Sequence, residues 1–294
     1  VGKISKSLRS LENGQQRFHC FNYITLRSPT HLLLLTDLDL ALTYHCCQHS
    51  VEVSKQVLDL NLTLRTLFSN LFKDRVADEK LCKNVDVILP LCLEKRSHDD
   101  YWVFYVRLMD TNPKKFVFQD ACRTVLMVLD LVQAQEGTWP GALVLLDLEG
   151  FALGHITRLD LPTLQQFLYY VQEAMLWKLK GIHIMNAPSF VDKLLGLIRP
   201  FVKKEFFDLF NIHLGGAKDV EKYLPIEALP KDIGGQFKSF DEAKNIKEWL
   251  KANQEYFAWE NHRRVEEKKR PGRPKTISDI FGGVEGSFKK LDID

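Results

Sequence analysis

The sequence predicts an α/β fold in which an N-terminal helical region precedes a mostly parallel β-sheet covered by helices. Three observations predict it. Short apolar runs alternate with longer segments of helical periodicity between residues 101 and 185, and parallel strands need crossovers of that kind. The run Ala142-Leu143-Val144-Leu145-Leu146 is continuously apolar, as a strand covered on both faces has to be. The 294 residues are 45% apolar and 27% charged, the balance of a globular chain long enough to bury a sizeable core, which sets aside disorder and fibrous repeats.

Taken in order, residues 1–30 are polar and irregular and carry no functional signal. Over 36–72, Leu38, Ala41, Leu42, Val51, Val57, Leu58, Leu62 and Leu64 recur at spacings of three and four, which predicts two or three packed helices. Ser50 suits an N-cap there, although Glu52 stands one place too early for a capping box. After a polar stretch over 73–84, residues 101–108, 142–148 and 182–185 read as strands, and 118–133 and 161–176 as helices. A long helical stretch follows over 188–210, then an amphipathic helix over 241–259. Residues 262–275 carry Arg263, Arg264, Lys268, Lys269, Arg270, Arg273 and Lys275 against Glu266 and Glu267, and read as an extended, solvated Pro-rich tail. The organisation is therefore 1–30 irregular, 31–85 helical, 86–240 the α/β domain, and 241–294 a C-terminal helix with a charged tail.

Several function classes are set aside. No stretch approaches the roughly 18 uninterrupted apolar residues of a spanning helix. A net charge of +2 is too small for a surface built to hold polyanions, so any basic site is local. The six cysteines all lie in the first 122 residues without a CxxC pair, and read as reduced thiols of a cytoplasmic protein. Phosphate-loop, dinucleotide, zincin and nucleophile-elbow motifs are absent. Asp147 and Glu149 at a strand end could form an acid/base pair, but a turn at Glu149-Gly150 with both carboxylates on backbone donors explains them as well, and no catalytic residue is assigned. His45, Cys46, Cys47 and His49 are soft ligands on one helical turn, too few for a complete site, so no metal and no cofactor is expected. His183 and His213 read as hydrogen-bonded core histidines. The Gly272-Arg273-Pro274 core resembles a minor-groove hook, but no basic face accompanies it and no nucleic-acid partner is expected.

The informative constellation is the segment from Pro188. Phe190, Leu194, Leu197 and Phe201 form one stripe and Val191, Leu195, Ile198 and Val202 the next, an apolar arc wider than a single packing face needs. Lys193, Arg199, Lys203 and Lys204 flank it, and Lys178 and Lys180 precede it. This outline fits a lid that covers a greasy cavity inwardly and touches a phospholipid surface outwardly, and it equally fits a doubly covered core helix with solvated lysines.

Three stretches resemble the CRAL-TRIO lipid-binding family, in its tocopherol-transfer and retinaldehyde-binding branch of insect type. They are Val144-Leu145-Leu146-Asp147-Leu148-Glu149-Gly150-Phe151; Lys178-Leu179-Lys180-Gly181-Ile182-His183-Ile184-Met185-Asn186-Ala187-Pro188 with Arg199-Pro200-Phe201; and Leu224-Pro225, Leu229-Pro230 and Ile233-Gly234-Gly235. Ser50-Val51-Glu52 and Thr63-Leu64-Arg65 are similar to the family's N-terminal helical domain, and residues 283–292 to the ends of many insect members. The resemblance implies a cytoplasmic, transiently membrane-associated monomer without enzymatic chemistry, carrying a small hydrophobic ligand such as a tocopherol, retinoid, carotenoid or phospholipid. It implies a cavity walled by Thr124, Val128, Leu146, Leu153, Leu179 and Ile182 and closed from the lid side by Phe190, Leu194 and Ile198. Membrane or phosphoinositide contact is implied for Lys178, Lys180, Phe201, Lys203 and Lys204, with the remaining headgroup positions taken by Cys47, Glu205 and Leu209. The alternative is a lipid-regulated adaptor that recruits a protein partner through the basic tail.

Overall fold

A computed structural model describes residues 35–282. Two helices open it, α1 (Asp37–Cys46) and α2 (Val51–Leu67). Thr36 and Asp39 form a reciprocal capping box on α1, and Ser50 caps α2 by accepting from the Val53 amide. The short α3 (Ser69–Phe72) and α4 (Glu79–Val85) complete the helical region.

Five strands follow: β1 (Ile88–Cys92), β2 (Trp102–Leu108), β3 (Ala142–Asp147), β4 (Leu179–Met185) and β5 (Phe210–Ile212). They lie in the order β1-β2-β3-β4-β5, with β1 antiparallel to β2 and the remaining pairs parallel. Two helices make the crossovers, α5 (Phe118–Glu136) between β2 and β3 and α7 (Leu161–Glu173) between β3 and β4, with the one-turn α6 (Leu153–Ile156) before α7. Edge strands β1 and β5 stand outside the sequence expectation. Pro90 sits within β1, which an edge tolerates because its missing N–H can face away from the ladder.

The long helix expected over 188–210 is broken. It becomes α8 (Val191–Ile198), a 3₁₀ turn at Arg199–Phe201, the single-turn α9 (Lys204–Phe207) and then β5. Pro200 has no amide to continue the α-helical ladder, which accounts for the break. The expected C-terminal helix likewise divides. After α10 (Ala217–Val220), α11 (Ser239–Ala252) ends at Asn253 and α12 (Gln254–Asn261) begins there.

The tail is solvated at Lys268, Lys269 and residues 271–274 but tied to the helical region at its other basic residues. Arg263 pairs with Asp39 at 2.7 Å, Arg270 with Asp59 at 2.9 Å and Glu267 at 2.7 Å, and Lys275 with Asp59 at 2.9 Å. The final α13 (Ile277–Phe281) stacks Phe281 on Phe68 at 5.8 Å and sets it edge-on to Tyr169 at 5.3 Å. The last described segment thus lies along α2 as a strap. Residues 1–30 and 283–292 fall outside the described residues.

A buried charge cluster joins the helical region and α12 to the crossover helix α5. Arg65 of α2 meets Asp130 of α5 at 2.7 Å and Glu260 of α12 at 3.0 Å, and Arg75 meets the same carboxylates at 2.8 and 2.6 Å. Arg75 and Glu260 are fully buried.

On the sheet face away from α5 and α7, His183 Nδ1 lies 3.0 Å from His213 Nε2, and both rings pack on Tyr223. Burial, then the neighbouring His213 and Lys222 charges, pushes His183 down to about 4 from its ordinary 6.5. The unfolded chain therefore takes up a proton below pH 6.5 that the folded chain refuses until about pH 4. Stability from this site is complete above pH 6.5 and is lost as the pH falls from there to 4. Urea midpoints measured between pH 7.5 and 4.5 should drop in the parent, and the drop should be shallower in His183→Phe; parallel profiles would refute the assignment.

Candidate ligand-binding site

Alternation along the strands builds the site. Phe104, Val106 and Leu108 of β2, Val144 and Leu146 of β3, and Ile182 of β4 share one sheet face, because neighbouring residues point to opposite faces and these lie in matched register. Opposite them, α5 presents Phe118, Ala121, Cys122, Val125 and Leu129, and α7 presents Leu164, Phe167, Leu168 and Val171, each stripe at spacings of three and four. Leu194 and Ile198 of α8, with Phe206 and Phe210 beyond it, form the outer wall. Together they bound a cavity of about 270 Å³ lined almost wholly by hydrocarbon.

Arg107 and Asp147 border the cavity at the carboxyl ends of β2 and β3, but their charged groups are engaged elsewhere. Asp147 accepts from Tyr105 Oη at 2.8 Å, Asn186 Nδ2 at 2.8 Å and the Glu149 amide at 3.1 Å. Arg107 pairs with Asp232 at 2.7 Å and Glu149 at 3.4 Å. The two most specific motifs of the sequence are thereby bolted together, since Asn186 holds a left-handed φ of 53° while its side chain clasps Asp147. Gly150 turns the chain after Glu149 at φ 74°, and an added Cβ there would run into Thr111. The carboxylate of Asp147 acts as a clamp between β3, β2 and the turn into α8, and the acid/base reading finds it committed to its own chain.

Of the nine wall residues expected, Leu146, Leu179, Ile182, Leu194 and Ile198 line the cavity. Thr124 and Val128 do not. Both are fully buried but lie one step round α5 from the lining stripe, and Thr124 Oγ1 instead accepts from Asn84 of α4 at 2.6 Å and donates to the Asp120 carbonyl at 2.8 Å. Leu153 is half exposed on α6, while Phe151 and His155 of that turn face inward. Phe190 is the N-cap of α8 and lies outside the lining. The aromatic share of the wall, Phe104, Phe116, Phe118, Phe151, Phe167, Trp177, Phe206 and Phe210, lies outside the sequence expectation, although the 164, 167, 168, 171 periodicity of α7 is a signal that could have found part of it.

The basic positions are not one cluster. Lys203 pairs with Glu173 of α7 at 2.7 Å, and its amide donates to Gln172 Oε1 at 2.9 Å, so this segment is latched to a crossover helix. Lys204 is exposed, and Phe201 is half-buried with its carbonyl accepting from Gln172 Nε2 at 3.1 Å. Lys180 is exposed with its ammonium 5.8 Å from the centre of the Tyr101 ring, and Lys178 lies within electrostatic reach of His45 and Cys46. The segment after α9 rejoins the sheet beside Lys180, where the Ile182 amide donates to the Leu209 carbonyl at 2.8 Å. As for the soft-ligand turn, His45 Nε2 contacts the Trp139 carbonyl at 2.7 Å, and among the described residues no group of three or more His, Cys, Asp or Glu is arranged to hold a metal ion. Among the same residues no helix is long and apolar enough to cross a membrane.

The sheet, the clamp and the apolar cavity coincide with residues 89–235, which match the CRAL/TRIO domain. The chain belongs to the CRAL/TRIO family. Its CRAL/TRIO domain runs from β1 to the glycine pair after the 3₁₀ turn at Lys231–Ile233. Over 207 residues the chain is 23% identical to human "Alpha-tocopherol transfer protein-like", covering 70% of this chain and 55% of that protein. Over 179 residues it is 24% identical to rat "Clavesin-1", covering 60% and 51%. The chain thus spans about half the length of these curated relatives. A solved structure described as "Crystal structure of Sfh5" is 11% identical with a TM-score of 0.46, covering 84% of this chain and 99% of that one.

Proposed function

We propose that this CRAL/TRIO chain is a cytoplasmic carrier that binds a small, uncharged hydrophobic molecule and moves it between membranes. The supporting observation is the hydrocarbon-lined cavity between sheet and lid, whose bordering charges are all answered within the chain. Relatives named for tocopherol transfer share the domain, which supports a ligand of that general kind. An apolar ligand gains roughly 0.8 kcal/mol per CH₂ withdrawn from water, so about twelve buried groups supply on the order of 10 kcal/mol. A bilayer core offers nearly the same. Exchange is therefore close to balanced, and the step that controls it is movement of residues 188–211, whose apolar underside both cavity and bilayer can accept. Lys180, Lys203 and Lys204 draw this edge toward an anionic leaflet at about 1 kcal/mol each. No covalent step is required of any residue in the site.

The test is identification, by native mass spectrometry and solvent extraction, of the small molecule that accompanies the protein from an animal-cell source. One dominant apolar species near one per chain is expected. Leu146→Trp, which fills the cavity from β3, should lower binding of a fluorescent hydrocarbon such as diphenylhexatriene by roughly tenfold or more while leaving the fold intact. An empty parent protein that also refuses that probe would overturn the reading.

A further inference from the structure

The corner between α1 and α2, away from the cavity, carries two adjacent cysteines. Cys46 is the last residue of α1 and Cys47 its C-cap, and the chain then turns through Gln48 and His49 at φ values of 52° and 65° before Ser50 starts α2. Two successive left-handed residues that are not glycine are uncommon. They place the pair at a sharp corner where the backbone is leaving the helix. The two Sγ atoms stand 3.7 Å apart, and both residues are only partly buried. Burial pushes the Cys92 thiol up to about 12 and the enclosed Cys122 thiol higher still. At the corner the pair divides: the hydrogen bond from the Cys46 thiol holds the Cys47 thiol below its ordinary value against the effect of burial, while the same bond and burial push the Cys46 thiol up. Lys178 adds a cation beside the pair.

We propose that Cys46 and Cys47 form a two-electron redox site at which a hydroperoxide converts neighbouring thiols into a vicinal disulfide. The Cys47 thiolate attacks the terminal oxygen of the hydroperoxide. The O–O bond breaks, the alkoxide leaves and takes up a proton to become an alcohol, and Cys47 is left as a sulfenic acid. The Cys46 sulfur then attacks the Cys47 sulfur, forming the S–S bond as the S–O bond breaks, and the departing hydroxide takes the Cys46 proton to leave as water. In sum, two thiols lose two hydrogens and the hydroperoxide becomes an alcohol and water. Adjacent Cα atoms are about 3.8 Å apart, closer than the roughly 4.4–6.8 Å of ordinary disulfides, so the closed ring is strained and readily reduced again. A readily reduced bond is what a reversible sensor in a reducing compartment needs.

The experiment treats the full chain with tert-butyl hydroperoxide, blocks remaining thiols with iodoacetamide and maps the products by peptide mass spectrometry. The expected product is a peptide that has lost two hydrogens and carries no alkyl group at Cys46 or Cys47, with Cys82, Cys92 and Cys122 alkylated, and dithiothreitol restores both sites. In Cys46→Ser, oxidation should stop at a sulfenic acid on Cys47 that dimedone captures. In Cys47→Ser, oxidation of Cys46 should be at least roughly tenfold slower at neutral pH, since a thiolate is then lost. Phenylarsine oxide, which bridges paired thiols, should protect both residues of the unaltered chain at one equivalent, a measurement independent of how the variants fold. Linkage of either cysteine to Cys20 or to a second chain, over-oxidation of Cys47 with Cys46 still free, or no protection by the arsenical would overturn the proposal.

Discussion

Glu260→Ala is expected to destabilise the protein by about 3–5 kcal/mol, because it strands two buried guanidinium groups in place of one removed carboxylate. Arg75 has no solvent exposure and meets Glu260 at 2.6 Å, while Arg65 meets it at 3.0 Å. With Glu260 gone, Asp130 alone faces both cations. Exposed pairs of the strap, such as Lys269 with Glu266 at 2.8 Å, lie at the surface and should cost well under 1 kcal/mol when broken. Burial raises the Glu260 carboxyl, but Arg75 and then Arg65 outweigh it and hold the group well below its ordinary 4.5. A depressed carboxylate contributes stability that is complete above its unfolded value and is lost as the pH falls below about 4.5. Urea denaturation of Glu260→Ala and Glu260→Gln at pH 7 and pH 3.5 checks both statements. A loss under 1 kcal/mol at neutral pH, or an unchanged acid limb, would show that the cluster does not hold α2 and α12 to α5.

The cluster also marks where sequence reading stops. The parallel strands β3 and β4 were legible because doubly buried strands leave apolar runs, and the Asp147 and Asn186 turns were legible through family resemblance. Arg65, Arg75, Asp130 and Glu260 were not, since each stands alone in its own segment and only the fold brings them together. The docking of the tail through Arg263, Arg270 and Lys275 was illegible for the same reason. Local composition around Arg270-Pro271-Gly272 favours an extended solvated chain, while its partner Asp59 lies more than 200 residues earlier. The misplacement of Thr124 and Val128 is of another kind. Resemblance identified the right helix, but one residue along a helix is a rotation of about 100°, enough to turn Thr124 from the cavity to Asn84. Over 188–210 the spacing of Phe and Leu continues across Pro200, so periodicity predicts one helix where the backbone makes two, a turn and an edge strand.

Charge reversal at the trailing edge of the lid should separate transfer from binding. In Lys203→Glu with Lys204→Glu, two cations near an anionic leaflet are lost, which is about 2 kcal/mol or roughly thirtyfold in transfer rate to anionic vesicles. Repulsion from the new carboxylates adds to this. Neither lysine lines the cavity, so equilibrium affinity for an apolar probe should change less than threefold. The substitution has a second consequence that works in the opposite direction. Lys203 latches its segment to α7 through Glu173 at 2.7 Å, and a glutamate there meets a like charge and loosens the latch. Glu173→Gln isolates that effect, since it releases the latch and leaves both lysines in place. Transfer to neutral vesicles, where electrostatic attraction is absent, should then be faster in Glu173→Gln than in the parent, and transfer to anionic vesicles should keep its advantage. The charge-reversed protein should approach the parent at high salt, as the Debye length shrinks to about 3 Å at 1 M. Equal rates for parent and charge-reversed protein on anionic vesicles at low salt would mean that the lid does not open at the membrane surface.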